Sequence, residues 1–193
     1  MITKFAALAA ASLLATSCSG QSAPPAQETE ASKQAEAAAI GDPEIAHIAY
    51  TAGVLDVAAA KQALEKTKND EVREFAETML RDHEAVNEQA LALVKKLGVT
   101  PQDNATSKAL AGQAGEKFQT LAALRGAEFD RAYAENEAGF HAAVNDALKT
   151  TLIPGAKNAE LKSLLESGLS LFSAHQAHAE QLAQKLRQGK ARQ

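Results

Sequence analysis

Asp56, His83, Glu137, His141 and His175 are residues of types that bind transition metals or exchange protons, and each lies in or beside an apolar stripe of helical period. Neutral imidazole and carboxylate suit zinc, iron or copper, and helical bundles build metal sites by pointing such side chains inward from facing helices. The same residues can instead form a hydrogen-bonded core network that fixes helix register, and their spacing leaves both readings open. Di-iron bundles pair their histidines with a glutamate three residues earlier. Here Leu80 precedes His83 and Phe172 precedes His175 at that spacing, which argues against a standard di-iron oxidase or ferroxidase. His175 and His178 form an i, i+3 pair that could hold one ion, although His178 falls at the margin of its stripe; His47 reads as a solvated or packing residue. No catalytic cysteine, nucleophile elbow or glycine-rich phosphate loop is present in the core region.

The elements that must position these side chains are helices. Asp42-Pro43-Glu44 is a start signal, with Asp42 as the cap, Pro in the first turn and Glu at the positive dipole end. The first helix then runs to about Thr67, with Ile45, Ile48, Ala52, Leu55, Ala59 and Ala63 on the face that also carries Asp56. Asn69 caps a second helix that ends at Gly98 and centres His83 in its stripe. Residues 99–125, interrupted by Gly112, Gly115 and then Gly126, read as a long connection with one or two short helices. A third helix covers about 127–151, with Asp130, Glu137 and His141 along the edge of its apolar side. Pro154-Gly155 breaks the chain, Asn158 caps, and a fourth helix carries His175 to about Arg187.

Composition agrees. In a chain of 193 residues only 4% are aromatic, none is Trp, and helix formers dominate. The fold class is all-α, and the length suits one domain plus an address segment. Four helices of this length make a bundle about 35–45 Å long. A connection of about 27 residues can cross its full length, which makes the second and third helices parallel, as in ferritin-like folds. Under that topology Asp56, His83, the stretch between Glu137 and His141, and His175 come to one depth. The net charge of −4, with Lys and Arg spread along the chain, argues against nucleic acid as a partner.

The first 18 residues read as a signal peptide: Lys4 gives the positive region and Phe5 to Ala15 an apolar run too short to span a bilayer. The small residues before Cys18 resemble a lipobox, at which the cysteine is lipidated and becomes the first mature residue, although Ala15 stands where leucine is usual. The alternative is an ordinary secreted protein cut near Ala15 or Ser17. Ser19, not Asp, follows the cysteine, which under the sorting pattern of Gram-negative lipoproteins implies an outer-membrane lipoprotein facing the periplasm. Residues 19–41 are rich in Ser, Gln, Pro, Glu and Ala and read as a flexible tether with a reach of about 25 Å. The bundle occupies 42–187 and a tail 188–193.

The segments Gly53-Val54-Leu55-Asp56, Phe75 to His83 with its Met-x-x-Asp-His element, and Gly126 to Tyr133 with Phe-Asp-x-x-Tyr, together with His141 and His175, resemble domain-of-unknown-function family 4142. These are exported, often lipid-anchored bacterial proteins of the ferritin-like group. The resemblance covers about residues 42–187. It implies a ferritin-like bundle and matches His83, Asp130, Tyr133, His141 and His175 to recurrent family positions, with Asp130 and Tyr133 in a core polar network. Asp56 stands where the family commonly has the longer Glu. The family implies no established activity. The leading expectation is therefore a membrane-tethered, non-enzymatic helical module of the cell envelope, engaged in binding or stress tolerance, with the protein partner open. The alternative is a metal-binding or redox protein using Asp56, His83, Glu137, His141 and His175.

Overall fold

A computed structural model describes residues 40–190; the expected signal peptide, the lipobox with Cys18, almost all of the tether and the last residues of the tail lie outside that range. The described chain is all-helical, with five helices: α1 (Asp42–Lys66), α2 (Asp70–Leu97), α3 (Ala105–Ala123), α4 (Gly126–Ala147) and α5 (Ala159–Lys190). No helix among the described residues is long and apolar enough to cross a membrane.

The caps define the ends. Asn69 Oδ1 accepts from the amides of Glu71 and Val72 at the start of α2, Asn104 Oδ1 from Ser107 at the start of α3, and Asn158 Oδ1 from Glu160 and Leu161 at the start of α5. Gly98 closes α2 at φ +62°, a conformation that costs a Cβ-free residue nothing. Asp42 does not cap its own helix. Gly41 holds that position while Glu44 reaches back to the Gly41 amide, which frees Asp42 to accept from the amides of Lys157 and Asn158. A residue expected to begin α1 thus ties down the start of α5.

Two stretches depart from expectation. Residues 99–125 hold one 19-residue helix, α3, which runs through Gly112 and Gly115. An isolated glycine costs a helix only about 1 kcal/mol, and the good helix formers around the two glycines carry the helix past them. Beyond Ala147 the chain does not break at Pro154. It continues through a π-helical turn (Leu148–Leu152), closed by the bond from the Ile153 amide to the Leu148 carbonyl, into a last turn at Ile153–Gly155. Proline is tolerated there because it sits in the first turn of that short piece.

Contacts between side chains fix the directions. Gly53 lies against Asn87 and Asp56, further along α1, against His83, earlier in α2, so α1 and α2 are antiparallel. The bonds of Asn104 to Glu44, Gln62 to Phe118 and Lys66 to Ala122 lay α3 along α1 in the same direction. The facing pairs Phe75–Tyr133 and His83–His141 keep one sequence offset, so α2 and α4 also run in the same direction. Ion pairs of Lys96 with Glu160, Lys185 with Glu71 and Arg187 with Glu135 make α5 antiparallel to both.

The core divides in two. One apolar cluster, with Ala60, Ala63, Val72, Phe75, Phe129 and Leu182, fills the end where α2 and α4 begin. Another, with Ile45, Ile48, Leu148, Leu152, Leu161 and Phe172, fills the opposite end. The alanines of α1 let its neighbours approach closely. At Gly53 a Cβ would lie 2.1 Å from the Asn87 side-chain oxygen. Between the two clusters the interior is polar.

Candidate metal centre

Each helix that lines the interior contributes to this polar layer where polar residues interrupt its apolar stripe: Asp56 in α1, His83 in α2, Glu137 and His141 in α4, His175 in α5. All five are buried. His83 Nε2 lies 3.4 Å from His141 Nε2 and 3.5 Å from Asp56 Oδ2. One nitrogen from each of His83, His141 and His175 falls within a mutual 4.8 Å, as does one ligand atom from each of Asp56, Glu137 and His141. The two groups share His141.

Hydrogen-bond partners decide how the rings are held. His141 Nδ1 stands 3.0 Å from the Glu137 backbone carbonyl, which can only accept, so that nitrogen carries the proton and Nε2 presents its lone pair to His83. His175 Nε2 stands 3.0 Å from Asp82 Oδ2; it donates to that carboxylate, leaving Nδ1 free. Asp82 is bonded in turn by Arg81. Partial burial works the other way, but the bonds from Arg81 and His175 hold the Asp82 carboxyl below its ordinary range. This carboxylate-to-imidazole arrangement is how proteins orient and strengthen a histidine ligand. His83 is clamped from the side by the Phe172 ring, stacked at 4.8 Å and 6°. Phe172 stands where a di-iron protein would carry a glutamate, so the site has an apolar wall there in place of a ligand.

Protonation prepares the imidazoles as ligands. Burial, assisted by the neighbouring rings, lowers His83 to about 3; burial lowers His141 to about 4 and holds His175 below its ordinary value. All three are neutral at neutral pH, so a metal need not displace a proton from them. Burial likewise raises Glu137 to about 7, and burial with the facing Glu137 raises Asp56 well above its ordinary value. The two carboxyls stand close enough to share a proton. If both ionise, their facing oxygens have no donor between them.

The layer leaves several buried polar atoms without any partner: Asp56 Oδ1, His83 Nδ1, Glu137 Oε2 and His175 Nδ1. A network that served only to fix helix register would pair these atoms, because each orphan costs on the order of 1–3 kcal/mol. A cation bound at the centre would offer a partner to the carboxylate oxygens and to His175 Nδ1, but not to His83 Nδ1, which lies on the far side of a ring that presents Nε2 to the centre. For ligand distances of 2.0–2.1 Å, a tetrahedral ion separates its ligand atoms by about 3.3–3.4 Å, and an octahedral one by about 3.0 Å. The separations of 3.4 and 3.5 Å around His83 Nε2 match the tetrahedral spacing.

The other expected site residues lie elsewhere. Asp130 is buried but accepts from Thr67 Oγ1 at 2.7 Å, one end of the molecule away from the histidines. Tyr133 packs between Phe75 and Phe129, and its hydroxyl has no partner. The core network expected of Asp130 and Tyr133 is therefore a single Thr67–Asp130 bond. His178 is exposed and sets its ring edge-on to Phe75 at 5.0 Å, so it forms no pair with His175. The sequence showed Asp82 only as part of the Met-x-x-Asp-His element and Phe172 only as the residue in place of a glutamate, and assigned neither a part in positioning a histidine. The adjacent Asp82-His83 is a signal only once α5 is known to pass beside it.

The family described as Domain of unknown function (DUF4142) matches residues 26–182. No curated protein and no solved structure matches the chain.

Proposed function

We propose, from the premise that this chain belongs to the DUF4142 family, that it is a non-enzymatic module of the cell envelope that binds a transition-metal cation in its core. The protein is tethered to the outer membrane by a lipid on Cys18 and faces the periplasm. Residues 19–41 hold a ferritin-like four-helix bundle away from the lipid surface, and α3 is the long crossover between its second and third long helices. The shared direction of α2 and α4 supports that topology.

The observation that carries the metal reading is the convergence of three neutral imidazoles, two of them oriented by Asp82 and by the Glu137 carbonyl, on a buried centre whose remaining polar atoms have no partner. His83, His141 and His175 supply nitrogen ligands. Asp56 and Glu137 supply oxygen and charge, giving up their shared proton as the cation arrives. The donor set suits zinc, iron or copper. Such an ion would join four helices and act as a cross-link at the layer that separates the two apolar clusters.

The test is metal content by mass spectrometry of the full chain, purified without an affinity tag from cells supplied with zinc, iron and copper. A His83→Ala, His175→Ala double variant is compared, with circular dichroism to confirm that it folds. Near-stoichiometric metal in the wild type that disappears in the folded double variant is the expected result. A metal-free wild type would leave the histidines as core architecture and end the proposal.

A further inference from the structure

A cleft of about 280 Å³ opens on the side of the molecule where α3 packs beside α1 and α4, and its lining includes Asp56 and Glu137. Its walls are mostly apolar, with Leu55 of α1, Phe118 of α3 and Phe140 of α4, and they also carry Lys117 and Glu135, a pair of opposite charge. The unpartnered Asp56 Oδ1 and Glu137 Oε2 belong to the two side chains at its floor, which are 3% and 1% exposed. The histidines do not line this cleft: they stand behind the carboxyls, with His83 3.5 Å from Asp56 and His141 4.0 Å from Glu137. The geometry points to an exchangeable metal site, loaded and emptied through the cleft beneath α3. Asp56 and Glu137 receive a hydrated divalent cation first, and the three imidazoles complete its coordination. This inference rests on the metal reading and adds a direction and a rate to it.

The physical reason is the order of the ligands along the path. An apolar wall offers a hydrated cation no ligand, so within the cleft it can stop only at the polar side chains, among which Asp56 and Glu137 are the buried carboxyls. A cleft ending on two carboxyls therefore leads a cation to one place. A closed structural site would instead surround its ion with protein on every side.

Gly139 provides the plug. It lines the cleft, lies on the exposed face of α4, and a Cβ built there meets no atom within 4 Å. A large side chain at this position on the lining narrows the cleft without replacing a ligand and without the helix cost of glycine. Gly139→Ala makes the same backbone change and leaves the passage open.

Stopped-flow zinc binding to the full chain, with dissociation measured by chelator competition, tests the inference on wild type, Gly139→Ala and Gly139→Phe. A barrier on a path that the ion must take slows arrival and departure by the same factor and leaves the equilibrium unchanged. The expected result is that Gly139→Phe slows both association and dissociation tenfold or more with an unchanged dissociation constant, while Gly139→Ala behaves as wild type. Unchanged rates in Gly139→Phe, or a change in one rate only, would show that the ion does not pass this way, although the site itself would stand. Absence of zinc binding in wild type would overturn this inference, whereas the site itself stands or falls on the metal content of the purified chain.

Discussion

Replacing Glu137 with glutamine tests the protonation of the buried layer directly. Glutamine keeps the shape of a protonated carboxyl but cannot ionise. Burial holds the folded Glu137 carboxyl at about 7, against 4.5 when it is free. For a group whose folded value is raised, the stability it contributes is complete below the free value and is lost as pH rises through the folded one. Between pH 5 and 6 the folded carboxyl holds nearly a full proton and the unfolded one little, so wild type loses about 1 kcal/mol over that unit through this group alone. His83 and His141 act in the opposite sense: their folded values are depressed, and their contribution falls as pH drops below about 6.5. The wild-type curve is therefore flattened by opposing groups, and the difference between the two proteins is the diagnostic quantity. Urea denaturation followed by circular dichroism, with chelator present, should show Glu137→Gln gaining about 1 kcal/mol on wild type from pH 5 to pH 6. Parallel curves would mean that the folded carboxyl holds no proton in that window, and the account of the carboxyl pair would fail.

Three further outcomes follow from the geometry and a fourth from the proposed lipid anchor. Asp82→Asn removes the carboxylate that orients His175 and should weaken zinc binding by about 10–100-fold with unchanged helix content, measured by calorimetric titration. Phe172→Ala opens a cavity beside His83 in the apolar cluster and should cost about 3–5 kcal/mol in urea denaturation; a loss under 1 kcal/mol would show that the ring is not packed as described. Asp42→Ala strips the start of α5 of its acceptor for the Lys157 and Asn158 amides and should cost about 1 kcal/mol, although the residue lies at the other end of the sequence. Cys18→Ser should move the protein from the membrane fraction to the soluble one, and a variant that still sediments with membranes would remove the lipid tether.

Local chemistry in the sequence marks most helix ends. Asn69, Gly98 and Asn158 terminate or start helices by bonds and backbone angles that each residue type supplies without help from the rest of the fold. The apolar stripes likewise follow from helical period, and counting residues from the turn between α1 and α2 is enough to bring Asp56 level with His83. Period and count fail in two stretches. The α3 helix runs through two glycines among good helix formers, and bonds from Gln62 and Lys66 then fix its far end to α1. The chain past Ala147 accepts Pro154 because a π-helical turn prepares its place.

What the tertiary structure alone decided is how the polar residues face one another. Sequence period assigns Asp82 a direction off the stripe of His83, and only the packing of α5 against α2 turns that direction toward His175. The same packing puts the Phe172 ring over His83 and turns His178 away toward Phe75. The all-α class, helix positions and inward residues follow from short-range rules that each segment obeys separately. The orientation of each ring nitrogen, the sharing of a proton by two carboxyls and the cleft that reaches them depend on distances between helices, which no single segment encodes.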